Sequence, residues 1–157
     1  MPSTLAESIA QAKDGLGGYL ATTTGLRPAD AVTVRTAAVT PEEFTPDMVI
    51  LSDVVAPRSG PGLATREAKP TITCWVVITR PGTDEIAIRA ARARAAAVMG
   101  LIEGAVKADP TAAGTIQPPG GLAVATSGLE ESPVDWDGSA ARRATVPFSL
   151  SWTSHVT

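Results

Sequence analysis

Few side chains in this sequence have the chemistry of a nucleophile, a base or a metal ligand, and their spacing argues against each role. The single histidine, His155, is the third residue from the end, where a fraying segment holds an imidazole poorly. The single cysteine, Cys74, lies within an alternating apolar run, so a buried small hydrophobe is expected there. One cysteine also excludes an internal disulfide and every multi-cysteine zinc pattern. Glu130, Glu131, Asp135 and Asp137 gather carboxylates, but they miss the Asp-x-Asp-x-Asp-Gly register of a calcium loop. Solvated carboxylates on turns are expected, with no catalytic residue, metal or cofactor. Gly15-Leu16-Gly17-Gly18 follows no strand and makes no nucleotide fingerprint, and neither a nucleophile elbow nor a phosphate-binding lysine loop occurs. A small cytoplasmic enzyme would have to draw its site from Asp53, Glu130 and Asp135, which requires a shared pocket.

Other residues suggest contact with a second chain. Arg94 points among the apolar side chains of a long helix. It either snorkels at the helix border or pairs with a carboxylate across a subunit boundary. The proline- and glycine-rich stretch 56–70 holds no regular element, and its charges include Arg58, Arg66 and Glu67. It reads as a plain connection or as an arm that orders on a neighbouring subunit. Pro147 interrupts the last alternating run and has no N–H to donate, which places that strand at a sheet edge or at a bulge. Trp75, Trp136 and Trp152 read as packing residues.

These positions rest on a strand that feeds a helix. Ile72, Cys74, Val76 and Ile78 share one face at period two. Arg80-Pro81-Gly82-Thr83 ends that strand, and Thr83 or Asp84 offers a cap oxygen to a helix through Ala108. Ala87, Ala91, Val98, Leu101, Ile102 and Ala105 form its apolar side; Glu85→Arg89 and Glu103→Lys107 are i,i+4 pairs on the other. A short amino-terminal helix spans 3–13 and frays at Gly15, Gly17 and Gly18, with room for one more turn at Tyr19-Leu20. Further strands are expected at 31–39, 48–55, 111–116, 122–126, 128–136 and 143–155, with a turn at 135–138. The sum is one α+β domain over 1–157: a mostly antiparallel sheet, one long amphipathic helix packed on it, and a short amino-terminal helix.

Bulk properties set the outer limits. Leu, Ile, Val and Phe supply 34 of 157 residues, a lean core that a neighbouring subunit would help complete. A net charge of −3 and the absence of a basic stripe speak against a nucleic-acid binder. No apolar run reaches the roughly 18–20 residues of a membrane span, and no signal-peptide pattern opens the chain.

Several phrases together resemble the tail-terminator proteins of long-tailed bacteriophages. They are Thr73-Cys74-Trp75-Val76-Val77-Ile78-Thr79, the charged helix Asp84 to Val106, Asp109-Pro110-Thr111-Ala112-Ala113-Gly114, Ser127-Gly128-Leu129-Glu130, and Gly138-Ser139-Ala140-Ala141-Arg142-Arg143-Ala144. The resemblance runs from about Val32 to the end of the chain. It implies a virion protein with no catalytic residues. Such a subunit forms a hexameric ring at the head-proximal end of the tail, caps the major tail tube protein and meets a head–tail connector or stopper protein. DNA would pass its lumen without specific binding, which mild acidity suits. A stopper or tail-completion subunit shares the same ring plan, and a monomeric binding module is the reading from a different class.

Overall fold

The computed structural model describes residues 5–56, 58–59, 67–116 and 120–155. In chain order these form helix α1 (Leu5–Thr22), strands β1 (Thr33–Arg35), β2 (Asp47–Val55), β3 (Arg58–Ser59), β4 (Glu67–Ala68) and β5 (Thr71–Pro81), and helix α2 (Glu85–Ala108). Strands β6 (Ala123–Thr126), β7 (Glu130–Trp136), β8 (Ser139–Ser151) and β9 (Ser154–His155) follow. Among the described residues the main sheet has six strands in the order β1-β2-β5-β8-β6, with β7 also on β8. Only the β1–β2 pair is parallel, so the expected α+β class holds.

The period-two strand forms because its alternate residues find a dry side. Ile72, Cys74, Val76 and Ile78 are fully buried, as are Ala144 and Leu150, with Val146 and Phe148 nearly so on the adjoining β8. Helix α2 lies on that face through Ala91, Ala95, Val98 and Ile102. Asp84 caps it, accepting a hydrogen bond from Ala87 N at 2.9 Å. The Glu85–Arg89 pair forms at 2.8 Å on the exposed side, whereas Glu103 and Lys107 make no ion pair among the described residues.

The opposite face is dressed unevenly. Met48, Ile50 and Val77 are buried there under Val39 and Phe44, with Trp75 alongside. Farther along, the face is lined by Thr71, Thr73, Ser149 and Ser151 in cross-strand pairs. Hydroxyl side chains of this kind suit a solvated sheet face.

Four expectations need correction. Helix α1 does not fray at its glycines but continues to Thr22. A glycine costs roughly 0.5–1 kcal/mol against alanine in a helix, while burying Leu16 and Leu20 yields about 1.5–3 kcal/mol each. Packing therefore outweighs local propensity. Gly15 and Gly17 let the helix approach closely: a Cβ at Gly15 would lie 2.6 Å from the Thr115 methyl, and one at Gly17 would collide with that of Thr36.

Residues 111–116 turn instead of forming a strand. The Asp109 carboxylate accepts hydrogen bonds from Thr111 N, Thr111 Oγ1 and Ala113 N. Ala112 and Ala113 have left-handed φ values of 49° and 58°, which no strand tolerates.

The stretch 56–70 is not wholly irregular either. β3 pairs with β4, and β4 pairs with β9, in a second, three-stranded sheet. This happens because β2 and β5 are already antiparallel, so the two chains leave the main sheet side by side and resume pairing. Ala68 is buried there. Arg66 lies outside the described residues.

The strand with Pro147 is not an edge, although the pairing beside it is irregular, with residues 127–129 facing 146–147. β8 spans the middle of the sheet, with β5 on one flank and β6 and β7 on the other. The Pro147 carbonyl accepts from Ser127 N at 3.2 Å, between the end of β6 and the start of β7. A residue's N–H and C=O leave a strand on the same side. The missing donor therefore faces the gap where one neighbour hands over to the next.

Candidate functional site

The structure disperses the residues with catalytic chemistry. Cys74 is fully buried in β5, and burial pushes its thiol up to about 12. A thiol so far from ionisation is a poor nucleophile. His155 is a backbone partner of Glu67 in the small sheet. Asp53 sits at the register shift of β2, while Glu130 faces Thr145 and Asp135 faces Ala140 on the far flank of β8. β5 and β8 separate Asp53 from the other two, so among the described residues the three carboxylates do not converge.

Two open concavities flank β7. One, of about 330 Å³, lies between the start of α2 and β7, with Asp84, Glu131 and Arg142 on its walls. The other, of about 690 Å³, is lined by Glu42, Asp135, Trp136, Asp137 and Ser139. Among the described residues no cluster of histidine, cysteine, aspartate and glutamate is arranged to hold a metal ion. Among the same residues no helix is long and apolar enough to cross a membrane.

Arg94 finds its carboxylate within its own chain. Its Nε donates to Asp47 Oδ2 at 2.8 Å, and Arg80 Nη1 donates to Asp47 Oδ1 at 2.6 Å. Asp47 opens β2 and is only 5% exposed. Burial pushes its carboxyl up, but the hydrogen bonds and charges of the two arginines outweigh that and hold it below the usual carboxylate range. The triad ties α2 to one end of the sheet and leaves a net positive charge at that corner. Strand-opening Asp47 carried no helix or strand signal of its own, so its role was invisible until residues 80 and 94 came beside it.

Arg143 was likewise missed. It lies on the face of β8 away from the helices, opposite Thr79. Its guanidinium stacks 4.5 Å from the Phe44 ring centroid, and its Nε donates to Thr79 Oγ1 at 3.1 Å. Burial lowers its pKa, the direction expected of a cation partly taken from water. The only sequence signal was a charge on the polar side of an alternating strand.

The expected contact residues fall in three places. Arg58 and Glu67 are in β3 and β4 of the small sheet, beyond the end of the main one. Arg94 is in the triad. Pro147, half-buried, faces Trp75 across β5 and β8 on the side without helices. These arrangements present shape and charge, and among the described residues the candidate acid, base and nucleophile side chains lie apart. No protein-family model and no curated protein matches the chain.

Proposed function

We propose that this protein is a bacteriophage tail terminator: a ring-forming virion subunit that ends tail-tube polymerisation and offers a docking face to the head connector. One observation carries the reading. The sequence phrases that resemble that family fall on one continuous piece of scaffold. Thr73–Thr79 lies in β5, Asp84–Val106 is the cap and body of α2, and Asp109–Gly114 is the turn that closes it. Ser127–Glu130 links β6 to β7, and Gly138–Ala144 leads from the hairpin turn into β8. The likeness therefore follows the strand–helix–hairpin unit that builds the fold.

A subunit of this kind acts by matching different partners on its opposite faces. The helices cover one face of the sheet, the other carries hydroxyl groups and Trp75, and the small sheet and the β7–β8 turn extend its two ends. Net charge of −3 gives such a ring little attraction for DNA phosphate. The test is polymerisation of the cognate tube subunit in the presence of this chain. Tubes are expected to shorten in proportion to the amount added, with the chain found at one end only. Tubes of unchanged length, or binding all along them, would remove the reading.

A further inference from the structure

Arg143 carries a guanidinium that the fold holds in place without a counter-ion. The Phe44 ring and Thr79 Oγ1 fix its plane. Its terminal nitrogens have no partner among the described residues, and none of them is buried, so both face solvent. Nearby arginines are engaged: Arg80 and Arg94 by Asp47, Arg92 by Glu131, Arg35 by Glu43, and Arg142 by the Thr83 carbonyl. Glu130, the closest acidic position by register on the same face, makes no ion pair with Arg143. A preoriented planar fork of two N–H donors fits a carboxylate.

Three carboxylates without an ion pair lie together at the tip of the β7–β8 hairpin. Asp135, Asp137 and Glu42 line the concavity there, and none of them makes an ion pair among the described residues. The tip overhangs the sheet, since the last β5 pairing is Pro81 with Ala141. Asp137 and Gly138, with φ of 54° and 77°, form a tight two-residue turn that sets the backbone from which the exposed Asp137 side chain projects. Arg143 lies four positions along extended β8 from Ser139, about 13 Å, and Asp137 is farther out in the turn. A strand cannot fold back on itself, so the tip reaches an Arg143 only in another molecule.

We propose that the hairpin tip of a second copy, through Asp137, docks on Arg143. This inference rests on the ring assembly proposed above. Donor and acceptor lie on different parts of one subunit, so the contact can repeat head-to-tail from copy to copy around a ring.

Sedimentation velocity of the full chain tests it, with Arg143→Gln, Asp137→Asn and the double variant, each checked for an unchanged thermal transition. Asparagine accepts the left-handed backbone at 137, so that variant removes charge and leaves the turn intact. Each single variant is expected to weaken self-association about tenfold at low salt. The double variant should be no weaker than the poorer single one, as for two groups in contact. Single variants that associate like wild type, or losses that multiply in the double variant, would overturn the contact alone. A wild-type chain that stays monomeric at high concentration would remove the ring reading and the contact together.

Discussion

Asp47 shows how one residue sets the behaviour of a corner of the protein. Two arginines, each with a side chain about 30% exposed or less, converge on a carboxylate that is almost wholly buried. Replacing it as Asp47→Asn keeps the shape and leaves two partly buried cations facing each other. A loss of about 1–3 kcal/mol in urea unfolding at pH 7 is expected, below the full penalty for a broken buried pair because the arginines still touch water. The pH dependence follows from the direction of the shift. The folded carboxyl titrates below the unfolded value of about 3.9, so its contribution is complete above that value and is lost as pH falls through the folded one. Wild type should therefore lose stability on acidification below about pH 4 more steeply than the asparagine variant. Equal slopes would contradict the triad. Cys74 gives a second test at this scale. With its thiol pushed up to about 12 and no exposed surface, it should react with a thiol reagent only as fast as the protein unfolds. Rapid labelling of the native chain would show that β5 is open.

At the scale of elements, the two helices divide what a sequence discloses from what it conceals. The Asp84 cap, the alternation of β5 and the stripe of α2 are all local, set by neighbours one to four residues away, and all were legible. Helix α1 was not, because the fate of its glycines depends on Thr36 and Thr115, which touch it only after folding. The turn at 111–116 was hidden for a similar reason: the Asp109 side chain takes over the backbone donors that a strand would need. Pro147 misled because a missing N–H argues against a central strand, unless the neighbouring strand happens to break at that level. The glycine account makes a paired prediction. Gly17→Ala should destabilise the protein by about 1–3 kcal/mol, since the stiff Thr36 side chain has to move. Gly18→Ala, with nothing within 4 Å of the new methyl, should stabilise it by about 0.5–1 kcal/mol. Chemical denaturation of the two variants checks both signs at once. Two changes of the same sign would mean that α1 does not pack as described.

For the whole molecule, the sheet supplies an asymmetric body. Helices close one face, hydroxyl groups and an uncompensated arginine mark the other, and an acidic hairpin overhangs one end. The opposite end carries the small sheet of β3, β4 and β9, whose existence depends on a carboxy-terminal strand meeting residues 67–68. No local pattern could disclose that pairing. Asp53, Glu130 and Asp135 are dispersed over two flanks of the sheet, so these three do not assemble one site.

Negative-stain imaging of the purified full chain, alone and mixed with its tube subunits, tests the proposed ring assembly most directly. Closed rings of identical copies, seated at one end of each tube, are the predicted result. Single globules beside uncapped tubes would contradict it.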